Sequence, residues 1–346
     1  MRLGNRRYAV ALDLDSGKGT FGSTARIARG ANRHMTDIVT ITPNPAIDLS
    51  TAVDKIVPVA KLRGQSHRRD PGGGGINVAR VIRRLGGDAR AIYPIGGAIG
   101  KLLRQLLDQE DITSHTWTIA GETRENFFVD EISAGKQYRF ILPGPRLHEA
   151  EWKECLKLVS TLEPFPRYLV ASGSLPDGVP DDFYAQVARI AKQRGARFVL
   201  DTSGPALAAA AAEGVDLIKP NLREMRELTG SEPSDAYAWE AAAKDIVGTG
   251  KAAVVALTMA HLGAALVTRD EVLRAPPIPI TPRSAVGAGD SFLAALIWRL
   301  ASGASRADAF RLAVAAGAAA LLHPGTELCR PADVARLADQ VTIETA

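Results

Sequence analysis

The sequence predicts an α/β fold: a mostly parallel central sheet with helices on both faces, plus a small β-strand lid. Three observations carry this. From residue 38 onward, short apolar runs alternate with amphipathic helical patterns, the rhythm of βαβ units. Two stretches, 49–69 and 122–142, break that rhythm with polar–apolar alternation and turn residues. Three turns rich in Gly or Asn follow strand candidates, where open α/β sheets hold their ligands.

The strands expected, in order, are Ile38–Ile41, Ala89–Tyr93, Tyr168–Ala171, Arg197–Leu200, Leu217–Lys219, Ala253–Leu257 and Ala264–Val267. Between them, apolar residues recur at helical spacing in Ile76–Leu85, Lys101–Gln109, Glu149–Leu162, Asp181–Arg194, Pro205–Ala212, Leu222–Thr229 and Tyr237–Thr249. Helices over Ser291–Leu300, Arg306–Leu321 and Pro331–Gln340 close the chain. In the second interrupting stretch, Phe127, Val129 and Ile132 stand before the turn Ser133-Ala134-Gly135-Lys136, and Tyr138, Phe140 and Leu142 after it, which reads as a hairpin. The two stretches together would make a lid over the strand ends; an extension of the main sheet fits the pattern nearly as well.

The 346 residues are 46% hydrophobic and 23% charged, which excludes disordered and collagen-like classes. Two cysteines, Cys155 and Cys329, exclude a disulfide scaffold and suit a reducing, cytoplasmic setting. No apolar run reaches the roughly 18 residues of a membrane span. The first 34 residues hold seven basic and two acidic side chains, a net of +5 against +4 for the whole chain, which leaves the body at −1. The basic character therefore belongs to this segment, expected to be a flexible extension ahead of one domain over 35–346. A nucleic-acid groove needs basic residues clustered on the fold with aromatics to stack on, and only 5% of residues are aromatic, so no nucleic-acid partner and no membrane partner is expected. Gly17-Lys18-Gly19-Thr20 lacks the spacing of a phosphate loop.

Chemistry concentrates in three motifs. In Ala285-Val286-Gly287-Ala288-Gly289-Asp290-Ser291, a glycine turn runs into a helix. The backbone amides and the helix dipole make an anion cradle, and Asp290 stands at its mouth, placed to take a proton from a hydroxyl. Taken alone, Asp290 reads more readily as a helix cap. Pro71-Gly72-Gly73-Gly74-Gly75-Ile76-Asn77 lets a ligand approach backbone, with Asn77 able to bond a sugar hydroxyl; alone it reads as a flexible loop. In Lys219-Pro220-Asn221-Leu222-Arg223-Glu224, Asn221 and Glu224 form a capping box or, together, hold the water shell of Mg²⁺. The six histidines show no metal-binding spacing.

In this order the motifs resemble the ribokinase-like (PfkB) family of carbohydrate kinases over residues 36 to about 340. Thr42-Pro43-Asn44-Pro45-Ala46-Ile47-Asp48 resembles the branch acting on sugar phosphates. PGGGGINVAR, QYRF at Gln137–Phe140, SGSLPDGV at Ser172–Val179 and GTELC at Gly325–Cys329 are most similar to the minor bacterial 6-phosphofructokinases. The resemblance implies ATP- and Mg²⁺-dependent phosphorylation of fructose 6-phosphate at its 1-hydroxyl, with a 1-phosphofructokinase or tagatose-6-phosphate kinase as alternatives and a non-catalytic sugar-phosphate-binding regulator as a remote one. It implies Asp290 as base and Gly287, Ala288 and Gly289 as the phosphoryl cradle. Asp48, Gly73, Gly74 and Asn77 would hold sugar hydroxyls, and Lys61, Arg124 and Arg139 the phosphate. Lys219, Asn221, Glu224, Thr258 and Gly263 would form the nucleotide site. It also implies a K⁺ site at Ser284, Val286, His323 and Gly325, and a homodimer formed through the lid. One position departs from the family: Ala260 stands where its nucleotide turn carries glycine.

Overall fold

The computed structural model describes residues 37–324 and 326–345. The expectations for residues 1–34 and for Gly325 lie outside the described residues. The first half of the chain runs β1 (Ile38–Ile41), β2 (Ala46–Val53), β3 (His67–Gly72), α1 (Gly74–Arg84), β4 (Arg90–Ile95), α2 (Gly97–Gln109), β5 (Thr113–Thr118), β6 (Arg124–Glu131), β7 (Lys136–Phe140) and α3 (Glu149–Ser160). Next come β8 (Tyr168–Ser172), α4 (Phe183–Gln193), β9 (Arg197–Asp201), α5 (Gly204–Glu213), β10 (Val215–Ile218), α6 (Leu222–Thr229), α7 (Ala236–Gly248) and β11 (Ala252–Thr258). The chain ends with β12 (Ala264–Val267), β13 (Val272–Ala275), α8 (Ala288–Ala301), α9 (Arg306–Leu321), α10 (Pro331–Ala338) and β14 (Glu344–Thr345).

Ten strands form one sheet in the order β14-β13-β12-β11-β10-β9-β8-β1-β4-β5. It is parallel from β11 to β5 and antiparallel from β11 to β14. Its inner strands are apolar on both faces because both are covered. On β8, Leu169 and Ala171 join a core with Trp152, Phe183 and Met225, while Tyr168 and Val170 join a second core with Ile76, Phe292 and Phe310. One residue of register thus decides which layer a side chain enters.

A second, four-stranded sheet has the order β3-β2-β6-β7. Strands β2 and β6 run parallel, and the flanking pairs are antiparallel. The hairpin pairs Phe127 with Phe140 and Val129 with Tyr138. Strand β2 begins at Ala46, ahead of the expected Leu49, and β3 runs on to Gly72. Strand β5 was not expected from sequence: Thr113-Ser114-His115-Thr116-Trp117-Thr118 is polar because it lies at the sheet edge with one buried residue, Trp117.

Candidate active site

Strand order reverses at β1, with β4 and β5 on one side and β8 to β11 on the other. The carboxyl ends of β1 and β8 therefore flank a crevice. A cleft of about 320 Å³ lies there, lined by Asp48, Asn77, Asn126, Ser172, Asp201 and Asp290 among others. The glycine run is part of its wall and is not a loose loop. Gly73 caps α1 with φ of 112°, and a Cβ there would stand 2.6 Å from the Thr42 side chain. A Cβ on Gly74 would collide with the Ser172 hydroxyl. These contacts seat Asn77 in the first turn of α1.

Helix α8 starts at Ala288, three residues before its expected start. Gly287 is its N-cap, in the left-handed region at φ 73°. The first-turn amides of such a helix have no intrahelical acceptor, so Ala288, Gly289 and Asp290 present them outward. Asp290 is the third helical residue, which removes the reading of it as the cap. Its Oδ2 instead accepts a 2.8 Å bond from Asn77 Nδ2. Burial pushes the Asp290 carboxyl up to about 6, helped by the negative charges of Asp201 and Asp48 and opposed by Asn77 and Lys219. That places a proton acceptor near neutrality at the mouth of an anion cradle.

Lys219 directly follows β10 and stands behind the cradle. Its Nζ pairs with Asp201 Oδ1 at 3.1 Å, and a Cβ on Gly289 would lie 3.2 Å from that nitrogen. Burial pulls the Lys219 ammonium toward neutrality, but Asp201 and Glu224 outweigh it and hold it above its ordinary range. Asn221 caps α6 through Oδ1, which accepts from the Glu224 amide at 3.0 Å, and Glu224 Oε2 accepts from the Asn221 amide at 2.9 Å. The capping box is real, and it occupies one carboxylate oxygen while Glu224 still lines the cleft. Thr258, at the end of β11, bridges Asn221. Gly263 adopts φ 91° where a side chain would strike the Ala275 carbonyl. Ala260 takes φ 51°, a glycine conformation held by an alanine.

The remaining expected residues divide. Asp48 is buried in the cleft, where Asn126 Nδ2 donates to it at 2.8 Å; burial raises its carboxyl pKa and Asn126 lowers it. Arg139 pairs with Phe128, a cleft residue, so it shares the face that looks into the cleft. Arg124 shares that face with Asn126 and Phe128 by strand alternation, yet its guanidinium turns to the carbonyls of Leu142 and Asn44, at 3.1 and 3.2 Å. It lines a neighbouring cleft of about 450 Å³, and its buried Nε has no partner among the described residues. Lys61 is exposed in the segment between β2 and β3 and is not brought to the Asp290 cleft.

Arg283 N and Ser284 N donate to the carbonyl of Leu321, the last residue of α9, at 2.7 and 3.4 Å, and Val286 N donates to Ser284 Oγ at 3.2 Å. His323, just after α9, sits 2.9 Å from Asp333 through Nε2.

Sequence reasoning missed Asp201, Asn126 and Arg80. Asp201 is the polar last residue of an apolar strand, a usable signal in a parallel sheet. Asn126 and Arg80 carry no such mark, since their partners lie 78 and 30 positions away.

A polar cleft at the strand ends of a mostly parallel sheet, with a proton acceptor beside an anion cradle, suits phosphoryl transfer to an alcohol group. Residues 35–333 match the pfkB family of carbohydrate kinases, and the chain belongs to that family. It is 44% identical over 299 residues to ATP-dependent 6-phosphofructokinase isozyme 2 of Mycobacterium tuberculosis, covering 86% of this chain and 88% of that one. It is 37% identical over 262 residues to a 1-phosphofructokinase of Xanthomonas campestris pv. campestris, covering 75% and 82%. Its fold superposes with a TM-score of 0.84 on phosphofructokinase-2 from Escherichia coli in complex with potassium, at 40% identity over 88% of this chain and 99% of that one.

Proposed function

We propose that this kinase transfers the γ-phosphoryl group of ATP to the 1-hydroxyl of fructose 6-phosphate, giving fructose 1,6-bisphosphate and ADP. The observation that carries the reading is Asp290, held by Asn77 at the first turn of α8 with its carboxyl raised to about 6. Asp290 takes the proton of the attacking hydroxyl, and the amides of Gly287, Ala288 and Gly289 receive the charge on the transferring group. Asp48, Gly73, Gly74 and Asn77 orient the sugar. Lys219, Asn221, Glu224, Thr258 and Gly263 border the nucleotide.

The anion cradle suits a nucleotide phosphate, because the first-turn amides of α8 have no intrahelical acceptor and Lys219 Nζ lies 3.2 Å from where a Cβ on Gly289 would stand. One partly committed carboxylate, Glu224, beside an amide, Asn221, suits Mg²⁺ that keeps most of its waters. When bound, that ion would neutralise phosphate charge. Backbone of Ser284 and Val286, with the segment at His323, suits a monovalent cation, K⁺, beside the cradle. Arg139 and the unsatisfied Nε of Arg124 supply cationic donors for the sugar phosphate. Phe127, Tyr138 and Phe140 are exposed together on the other face of the smaller sheet, which favours a homodimer formed through this lid. The reading places the enzyme in the cytoplasm.

A coupled kinase assay with MgATP tests it over fructose 6-phosphate, fructose 1-phosphate, tagatose 6-phosphate and fructose. The highest kcat/KM is expected on fructose 6-phosphate. A preference for fructose 1-phosphate would move the assignment to the second group of relatives.

A further inference from the structure

Asn77 has two ends, and only one of them suits a carboxylate. Its Nδ2 donates to Asp290; reversed, the amide would set oxygen against oxygen. The other end meets Arg80, one helical turn on, whose Nη1 stands 3.4 Å from Asn77 Oδ1. Reversal would also set two donors face to face. Arg80 is 1% exposed and held from three elements. Its Nε and Nη2 fork onto Glu110 beyond α2 at 2.9 and 2.6 Å, Nη1 donates to the Pro71 carbonyl at 2.7 Å, and Nη2 lies 3.6 Å from Asp70. Asp70 is fixed in turn by Thr326 at 2.8 Å and by Arg68. The guanidinium cannot rotate without breaking this set.

We propose that Arg80 is a positioning residue for the phosphoryl transfer: by holding Asn77 Oδ1 and the Pro71 carbonyl, it points the Asn77 amide nitrogen at Asp290 and seats the glycine run. This rests on Asp290 acting as the base. The charged groups facing Asp290 are Asp201 and Asp48, which disfavour its ionised form, and Lys219, which favours it; Asn77 adds the neutral donor. Those facing Arg80 are Glu110, Asp70, Asp48 and its neighbour Arg84.

The test is the pH profile of kcat in Arg80→Lys and Glu110→Gln. A lysine at 80 has one head, which follows the Glu110 charge and abandons Asn77. Its acid limb should move up by about one pH unit, the size expected when a carboxylate loses a hydrogen bond, with rate recovered above the limb. Glu110→Gln removes the ion pair but leaves Arg80 beside Asn77, so its melting temperature should fall while the limb stays. An unmoved limb in Arg80→Lys overturns the proposal. So does a limb that Glu110→Gln displaces, and this arm stands even where Arg80→Lys yields no folded protein. An Asp290→Asn variant that keeps its rate overturns the base assignment and the positioning with it. An inactive Asp290→Asn beside an unmoved Arg80→Lys limb overturns the positioning alone.

Discussion

Asn77 and Asp290 are separated by 213 positions in sequence and joined by a 2.8 Å hydrogen bond. The bond ties the first turn of α1 to the first turn of α8. It brings the glycine-walled side of the cleft and the anion cradle onto a single carboxylate.

Asp290→Asn should lower kcat by roughly 10²–10⁴, the range for loss of a general base, with both substrates still bound. Wild-type kcat should fall as pH drops through about 6, because protonation removes the base. The stability sign is the reverse. The folded pKa lies above the unfolded one, so ionisation disfavours the folded state as pH rises between them. Melting of Asp290→Asn should therefore exceed wild type at pH 8 by more than at pH 4.5. A variant retaining a third of wild-type kcat contradicts the assignment.

Glu224→Gln separates capping from metal work. Glutamine also serves a capping box, so the melting temperature should change little. The Mg²⁺ concentration for half-maximal rate should rise several-fold, because an amide orders metal-bound water less well than a carboxylate. Titration of rate against Mg²⁺ decides it; an unchanged midpoint leaves Glu224 as a cap alone.

Ala260→Gly should be tolerated. Its φ of 51° costs an L-residue about 1–2 kcal/mol, which glycine recovers, against about 0.4–1 kcal/mol lost to a freer unfolded chain. Thermal melting should stay level or rise slightly, and KM for ATP should shift more than KM for the sugar phosphate. A clear loss of stability would show that the methyl group packs favourably in the turn.

Arg124→Ala should raise KM for the phosphosugar, with kcat/KM falling about 10–150-fold, the value of one charge-assisted contact of about 1.5–3 kcal/mol. KM for ATP should stay nearly constant. Equal loss on fructose and on fructose 6-phosphate would make Arg124 a brace for the Leu142 and Asn44 carbonyls and nothing more.

Local pattern was enough for the layer architecture and for most helices and inner strands. Short apolar runs bounded by turns are strands wherever both faces are buried, and Leu222–Thr229 with its capping box needs no distant partner to be recognised. The glycine turns were legible as a site only when taken together, since Pro71-Gly72-Gly73-Gly74-Gly75 alone reads as a flexible loop. Tertiary structure decided what contact over long separations decides. It made β5 a polar edge strand, started α8 early enough to exclude Asp290 as a cap, and turned Arg124 toward two carbonyls. It also set Arg80 against Asn77, and Asp201 against Lys219. A side chain's type shows what it is able to bond. Which partner it meets depends on how helices and strands far apart in sequence pack, and here that packing gave Asp290 its neighbours and so its proton affinity.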